Sequence, residues 1–256
     1  MAIKLCDLSY KGILKNINMS LDLSNIYGII GESGSGKSTL LNIIFKDIIP
    51  TNGTIEITEN VNNISYLRQY PEYNFFHKSV KKEIEYYTQG HHFKNVEKRI
   101  IDSLIMVGLD ESYLDLDPFK LSSSQRRKVA LACVLVSNPK VLLLDEPMAG
   151  LNNVDKTEII RLLKRLKNRY SKTIIISTHD TDFLHKLVDY IYVLHKGKIV
   201  LHGDKYEVFK YDLKRYGVLS PKEVEFSNIV LNKKGIKIGY RDDINDLIKD
   251  IYRFVK

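Results

Sequence analysis

The segment Gly31-Glu32-Ser33-Gly34-Ser35-Gly36-Lys37-Ser38-Thr39 constrains this chain more than any other. It satisfies G-x-x-x-x-G-K-[S/T], and its flanks are of the required kinds. Before it, Ile26-Tyr27-Gly28-Ile29-Ile30 is an apolar run of strand length; after it, Leu40, Leu41, Ile43, Ile44 and Phe45 recur on one helical face. Glycines let a backbone curl so that successive N–H groups converge on an anion. The amino end of the helix adds positive potential. In such a loop Lys37 is expected to reach the β- and γ-phosphates, and Ser38 to hold magnesium. A strand–loop–helix unit carrying a nucleoside triphosphate is the reading.

The rest of the chain suits that unit. Runs 25–30, 64–67, 140–144 and 173–177 are buried-strand candidates, and they alternate with helical spacing, so an α/β architecture with a largely parallel sheet is expected. Between 78 and 136 the apolar spacing becomes helical (Val80, Ile84, Tyr87, then Ile100, Leu104, Ile105, Val107), which reads as a helical insertion. Residues 191–200 read as a hairpin turning at Lys196-Gly197, and beyond about 211 the pattern shortens into a compact appendage. The longest apolar runs are far too short for a membrane span. Met1-Ala2-Ile3-Lys4 leads straight into strand-like sequence, so no signal peptide is expected. Cys6 and Cys133 lack metal-ligand spacing and read as buried, reduced thiols. The net charge of +8 fits nucleic acid, an anionic membrane surface or simple solubility, and selects none of them.

Four more segments carry chemistry. Val141-Leu142-Leu143-Leu144-Asp145-Glu146 is an apolar strand ending in two acids, the Walker B pattern. An acid at the carboxyl end of a parallel strand stands beside the phosphate loop. Asp145 is expected to hold magnesium, and Glu146 to polarise the attacking water as general base. Gln69, after Ile64-Ser65-Tyr66-Leu67-Arg68, can sense the metal and the water. His179, after 173–178, can donate to the γ-phosphate. Leu121-Ser122-Ser123-Ser124-Gln125 opens a helix of amphipathic character (Val129, Leu131, Ala132, Leu135), with Ser122 or Ser123 as cap and an amino end able to face a phosphate on another subunit.

Together these residues resemble the ATPase subunits of ABC transporters over nearly the whole chain. The A-loop aromatic, Walker A, Q-loop, LSGGQ signature, Walker B, D-loop and H-loop fall in order on Tyr10, 31–39, Gln69, 121–125, 141–146, 149–153 and His179. The resemblance implies a P-loop NTPase core with an antiparallel β subdomain and a helical insertion at about 75–136, together spanning 1–209. A C-terminal α+β dimerisation appendage would follow at 210–256. It implies ATP and Mg2+ as ligands. Tyr10 would stack on adenine, residues 31–39 would hold the phosphates, and Ser38, Gln69 and Asp145 would surround the metal. Glu146, His179 and Gln69 are the expected catalytic group, and Ser122, Ser123, Ser124 and Gln125 would contact the partner's ATP. In the family two such subunits stack head to tail, each ATP lying between one phosphate loop and the other signature.

A narrower resemblance rests on three segments. Residues 69–76 (Gln-Tyr-Pro-Glu-Tyr-Asn-Phe-Phe) are similar to the Q-P-E-x-Q-L-F stretch of energy-coupling-factor importers and their cobalt-importer relatives. Residues 128–135 are similar to that group's signature helix. Pro221, Val224 and Leu231 resemble its short C-terminal domain. This implies an importer of a vitamin or transition-metal ion, peripheral on the cytoplasmic face of the cell membrane. A membrane subunit would dock near 69–76, where Tyr73, Phe75 and Phe76 read equally as docking surface or as core. The alternative is a non-transport ATPase of the same family acting on nucleic acid or the ribosome; no nucleic-acid module is visible. Two departures stand out. Ser123 and Ser124 replace both signature glycines, which would strain any position needing positive φ. The D-loop reads Gly150-Leu151-Asn152-Asn153 in place of Gly-Leu-Asp-Pro. The chain's own phosphate side is intact while the part it presents to a partner is altered, which favours a heterodimer with one strong and one weak site over a homodimer.

Overall fold

A computed structural model of the chain describes residues 2–58, 63–235 and 244–255. Strands β1 (Ile3–Tyr10), β2 (Leu14–Leu21) and β4 (Asn52–Ile57) form a small antiparallel sheet, ordered β2-β1-β4. Strands β3 (Ile26–Ile30), β5 (Ile64–Leu67), β6 (Val141–Asp145), β7 (Thr173–Ser177), β8 (Tyr190–His195) and β9 (Lys198–Asp204) form the main sheet. Its order is β5-β6-β7-β3-β8-β9, parallel except for the last pair. Helices are α1 (Lys37–Ile44), α2 (Val80–Tyr86), α3 (Val96–Met106), α4 (Ser123–Val136), α5 (Asn153–Tyr170), α6 (Thr181–His185), α7 (Lys205–Val208), α8 (Lys222–Lys234) and α9 (Ile244–Val255).

Strands β3, β6 and β7 are buried at every position, as expected of parallel strands covered on both faces. Alternation along them divides the core in two. Tyr27, Ile29, Val141, Leu143 and Ile175 pack with α1 under the antiparallel sheet. Ile26, Ile30, Leu142, Leu144, Ile174 and Ile176 face the other way, against α4, α5 and the insertion. The four predicted core strands are found to within one residue at either end.

Three expectations need correction. Ile105 does not join the apolar face of α3; it is exposed, while Ile100 and Leu104 are buried. Helix α4 is not amphipathic beyond its first turn, since residues 127–136 are all buried between the sheet and α2 and α3. Cys6 is half-buried on β1, and only Cys133 is sealed.

In the appendage the described residues form a 3-10 turn (Leu213–Tyr216), α8 and α9. No strand occurs among them, and residues 236–243, on which part of the expected appendage falls, lie outside the described residues. Leu213, Val218 and Val224 belong to the same core cluster as the main sheet. The Thr181 hydroxyl donates to the Leu219 carbonyl (2.8 Å), and the Lys222 amide donates to the Asp182 carboxylate (2.8 Å). A Cβ on Gly217 would stand 3.1 Å from the Cβ of Glu32, so the root of the appendage lies against the phosphate loop.

Candidate functional site

The parallel strands bring their carboxyl ends to one edge. Asp145 pairs in register with Ser177, and Ser177 with Ile29, so the residues that follow β6, β7 and β3 emerge side by side. From β3 the chain enters the loop 31–36. Gly34 and Gly36 have φ of 78° and 107°, which only glycine adopts cheaply. Gly31 is needed for a different reason: a Cβ there would stand 2.1 Å from the Leu194 carbonyl oxygen. Gly36 is the N-cap of α1 and supplies no side-chain cap, so the first turn of the helix keeps its amide donors uncapped.

Lys37 is buried, and its ammonium donates to the carbonyls of Gly31 (2.8 Å) and Glu32 (3.0 Å). Burial lowers its pKa, against the opposing pull of Glu146, Asp145 and Glu32. Asp145 accepts from the Ser177 hydroxyl and from the Tyr66 phenol at 3.4 Å. Burial, then the Asp145 charge, pushes the Tyr66 phenol well up, keeping it a donor. Glu146 accepts from the Thr178 hydroxyl (2.7 Å), the His179 amide (3.1 Å) and meets His179 Nδ1 at 2.7 Å. Its backbone is left-handed, φ 48°. For a non-glycine residue that conformation costs about 1–2 kcal/mol, and such strain concentrates at functional positions.

His179 differs from expectation in one respect. Its ring is 78% exposed and Nδ1 is engaged by Glu146. In the neutral ring with Nδ1–H donating to Glu146, Nε2 is an acceptor, and only the imidazolium would offer a second donor to a phosphate. Gln69 follows β5 and is exposed; its carbonyl accepts from Arg127 Nη1 (2.9 Å). Tyr10 ends β1. The turn after it is docked on the loop: Lys15 N donates to Gly197 O (2.8 Å) and Gly197 N to Ser35 O (3.2 Å).

The signature segment stands apart from this group. Ser122 caps α4 in a reciprocal capping box with Gln125, settling the choice between Ser122 and Ser123. Gln125 Nε2 also donates to the Tyr113 phenol (2.9 Å), and Ser124 donates to Asp155. Neither Ser123 nor Ser124 has positive φ, so the strain anticipated from losing two glycines is absent. Among the described residues, no hydrogen bond or ion pair joins 122–125 to 31–39. Of the aromatics after Gln69, Phe75 is core at 7% exposure, whereas Tyr73 (82%) and Phe76 (57%) face outward.

A model described as "ABC transporter" matches residues 14–149. The energy-coupling factor transporter ATP-binding protein EcfA2 of Clostridium perfringens is 36% identical over 244 residues, covering 88% of this chain and 85% of that protein. This chain belongs to the ABC transporter family. EcfA2 of Caldanaerobacter subterraneus is 34% identical, covering 88% of this chain and 84% of the relative. Among solved structures, cbiO1 of Clostridium perfringens, part of the ABC transporter complex cbiONQ, superposes with a TM-score of 0.74 at 30% identity. The match covers 91% of this chain and 96% of that one. The cassette MJ0796, a dimer in a post-hydrolysis state with ADP and Pi, gives 0.70 at 26% identity, covering 79% and 98%. As an ABC ATPase, the chain has the family's α/β core and ATP as its substrate.

Sequence reasoning missed Tyr66, Ser177 and Thr178, which hold the two acids, and Asp155, which holds Ser124. The first two carried a signal, a hydroxyl near the carboxyl end of an otherwise apolar buried strand. Asp155 carried only the local spacing to Asn152, three residues before it at the helix start, while Ser124 and Lys128 are 31 and 27 residues away in sequence.

Among the described residues no helix is long and apolar enough to cross a membrane.

Proposed function

We propose that this chain is the ATP-hydrolysing subunit of an energy-coupling-factor-type importer, powering uptake of a vitamin or transition-metal ion from the cytoplasmic face of the membrane. The observation that carries the reading is the convergence of Lys37, Asp145 and Glu146 at one sheet edge, beside an uncapped helix amino end. The relatives, named as transporter subunits, favour it over the nucleic-acid alternative.

The residues suit the ligands. Ser35 Oγ is buried without a hydrogen-bond partner among the described residues, inside a loop whose amides are open to an anion. Lys37, now turned onto its own loop carbonyls, would exchange them for the β- and γ-phosphates. Ser38 and Asp145 would hold magnesium, with Gln69 contributing from the end of β5. The ion would neutralise charge between the phosphates. Glu146 would accept the proton of the attacking water, its carboxylate fixed by Thr178 and the His179 amide. His179 would link that carboxylate to the γ-phosphate once its ring carries both protons. Tyr10 would stack on adenine, a contact of about 1–3 kcal/mol. Tyr10→Ala is therefore expected to weaken ATP binding roughly ten- to a hundredfold with an unchanged melting temperature. Unchanged affinity in a fluorescent-nucleotide titration would return Tyr10 to a strand-end role.

The exposed Tyr73 and Phe76, beside the exposed Tyr70 and Tyr86, suit the docking of a helix from a membrane subunit. The second cassette is proposed to be a different chain. In a reconstituted transporter, Glu146→Gln in this chain should then nearly eliminate hydrolysis, while the matching change in the partner does less. Equal losses, or an active homodimer of this chain, would refute the asymmetric pair.

A further inference from the structure

The two departures from the family pattern meet on one carboxylate. Ser124, where the signature has glycine, donates its hydroxyl to Asp155 Oδ2. Asn152, where the D-loop has aspartate, donates Nδ2 to the same oxygen at 2.8 Å, and its Oδ1 takes the Asp155 amide at 2.9 Å. Lys128, one turn into α4, reaches Asp155 Oδ1 at 2.6 Å and Glu158 at 3.0 Å. Asp155 and Lys128 are both buried. The Lys128 and Ser124 bonds hold the Asp155 carboxyl below its usual range, so it is a charged acceptor at neutral pH.

A buried carboxylate with three side-chain donors from two helix amino ends is a clasp. It ties the start of α4 to the start of α5. Ser123, by contrast, is exposed and makes no side-chain hydrogen bond among the described residues. We propose that Asp155 is a positioning residue which, through Ser124 and Asn152, holds the signature helix and the D-loop as one rigid unit toward the partner subunit's nucleotide. The role rests on the dimeric ATPase reading above. The serine at 124 is then a structural part of this chain's signature rather than a decayed glycine. Its hydroxyl is committed to Asp155, leaving Ser123 and the helix amides to meet phosphate.

Two measurements test this. In the assembled transporter carrying Glu146→Gln in this chain, where the remaining turnover is that of the site on the partner's phosphate loop, Ser124→Ala should lower that residual kcat roughly tenfold, the rate equivalent of about 1.4 kcal/mol. KM for ATP should stay within about twofold. Ser124→Thr, which keeps the hydroxyl, should restore most of the rate, and Ser124→Gly should not. Asp155→Ala should also lower kcat, with Ser124→Ala adding little to it. In the isolated chain, thermal unfolding of Ser124→Ala, Asp155→Ala and the double variant should be non-additive in the same sense. Ser124→Gly or Ser124→Ala at the same residual rate as the Glu146→Gln parent, or additive unfolding shifts, would overturn the clasp. A wild-type complex without ATPase activity would instead overturn the functional reading, and the unfolding cycle would still decide the clasp.

Discussion

Lys37→Ala abolishes detectable ATP binding, and Glu146→Gln leaves ATP bound but unhydrolysed: this division is the largest effect expected of any pair of substitutions in the chain. The ammonium is buried at the mouth of a loop rich in amide donors, and burial already weakens its hold on the proton. The charges of Glu146, Asp145 and Glu32 act in the opposite direction. Removing the ammonium takes the point charge from the phosphate site, and loss of one such preorganised contact costs about 2.7–4 kcal/mol, or 10²–10³ in rate. Glu146 lies on the other side of the division. Glutamine keeps the size and can still accept from the His179 amide through its one carbonyl oxygen, its Nε2 then donating to the Thr178 hydroxyl, but it cannot take a proton from water. A fall of about 10²–10⁴ in kcat is expected, with nucleotide affinity unchanged. Single-turnover hydrolysis alongside a nucleotide titration measures both. A Glu146→Gln protein that turns over at the wild-type rate would remove Glu146 from the role of base.

Gly31→Ala should be the most destabilising single-methyl change in the phosphate loop. The added carbon would stand 2.1 Å from the Leu194 carbonyl oxygen and 2.7 Å from Ser35 Oγ. The serine can rotate; the carbonyl cannot, because Leu194 is paired with Ile199 in β9. Either the loop lifts off β8 or the hairpin deforms. A cost on the order of 3 kcal/mol, the upper range for overpacking, lowers the melting temperature by roughly 6–12 °C in a chain of this size. Gly34→Ala is the internal comparison. Its Cβ would meet nothing within 4 Å, so only the φ of 78° is penalised, at about 1–2 kcal/mol. Equal melting temperatures for the two variants would show that the β8 contact does not constrain the loop.

Much of this molecule is legible in its sequence alone. The core strands were readable because a strand covered on both faces must be apolar at every position, and Ile174-Ile175-Ile176 or Leu142-Leu143-Leu144 admits little else. The phosphate loop and the acid pair each carry a local pattern, whereas the glutamine, unremarkable by itself at a strand end, is assigned through the family resemblance. What stayed hidden depends on long-range packing. Helix α4 reads as amphipathic from Val129, Leu131, Ala132 and Leu135, yet it is enclosed on every side because α2 and α3 cover its outer face. Ile105 has the right spacing for the core but lies in the last turn of α3, facing away from α4. The aromatics near Gln69 divide only in three dimensions, with Phe75 inward and Tyr73 and Phe76 outward. The ring of His179 turns to Glu146, a choice of rotamer that no sequence pattern encodes. Ser124 read as a loss because its compensating carboxylate lies on another helix.

The root of the appendage sets a limit on how such cassettes can be recombined. A chimera joined after residue 209 would give up Leu213, Val218 and Val224, which pack beneath the main sheet. Burial of an aliphatic side chain of this kind contributes about 1.5–3 kcal/mol, so the three together approach the 5–15 kcal/mol that keeps a typical domain folded. The graft would also need glycine at Gly217, whose φ of 70° strains any other residue and where an added Cβ would crowd Glu32 at 3.1 Å. Residues 213–224 therefore travel with the cassette, and only the chain beyond them is open to exchange.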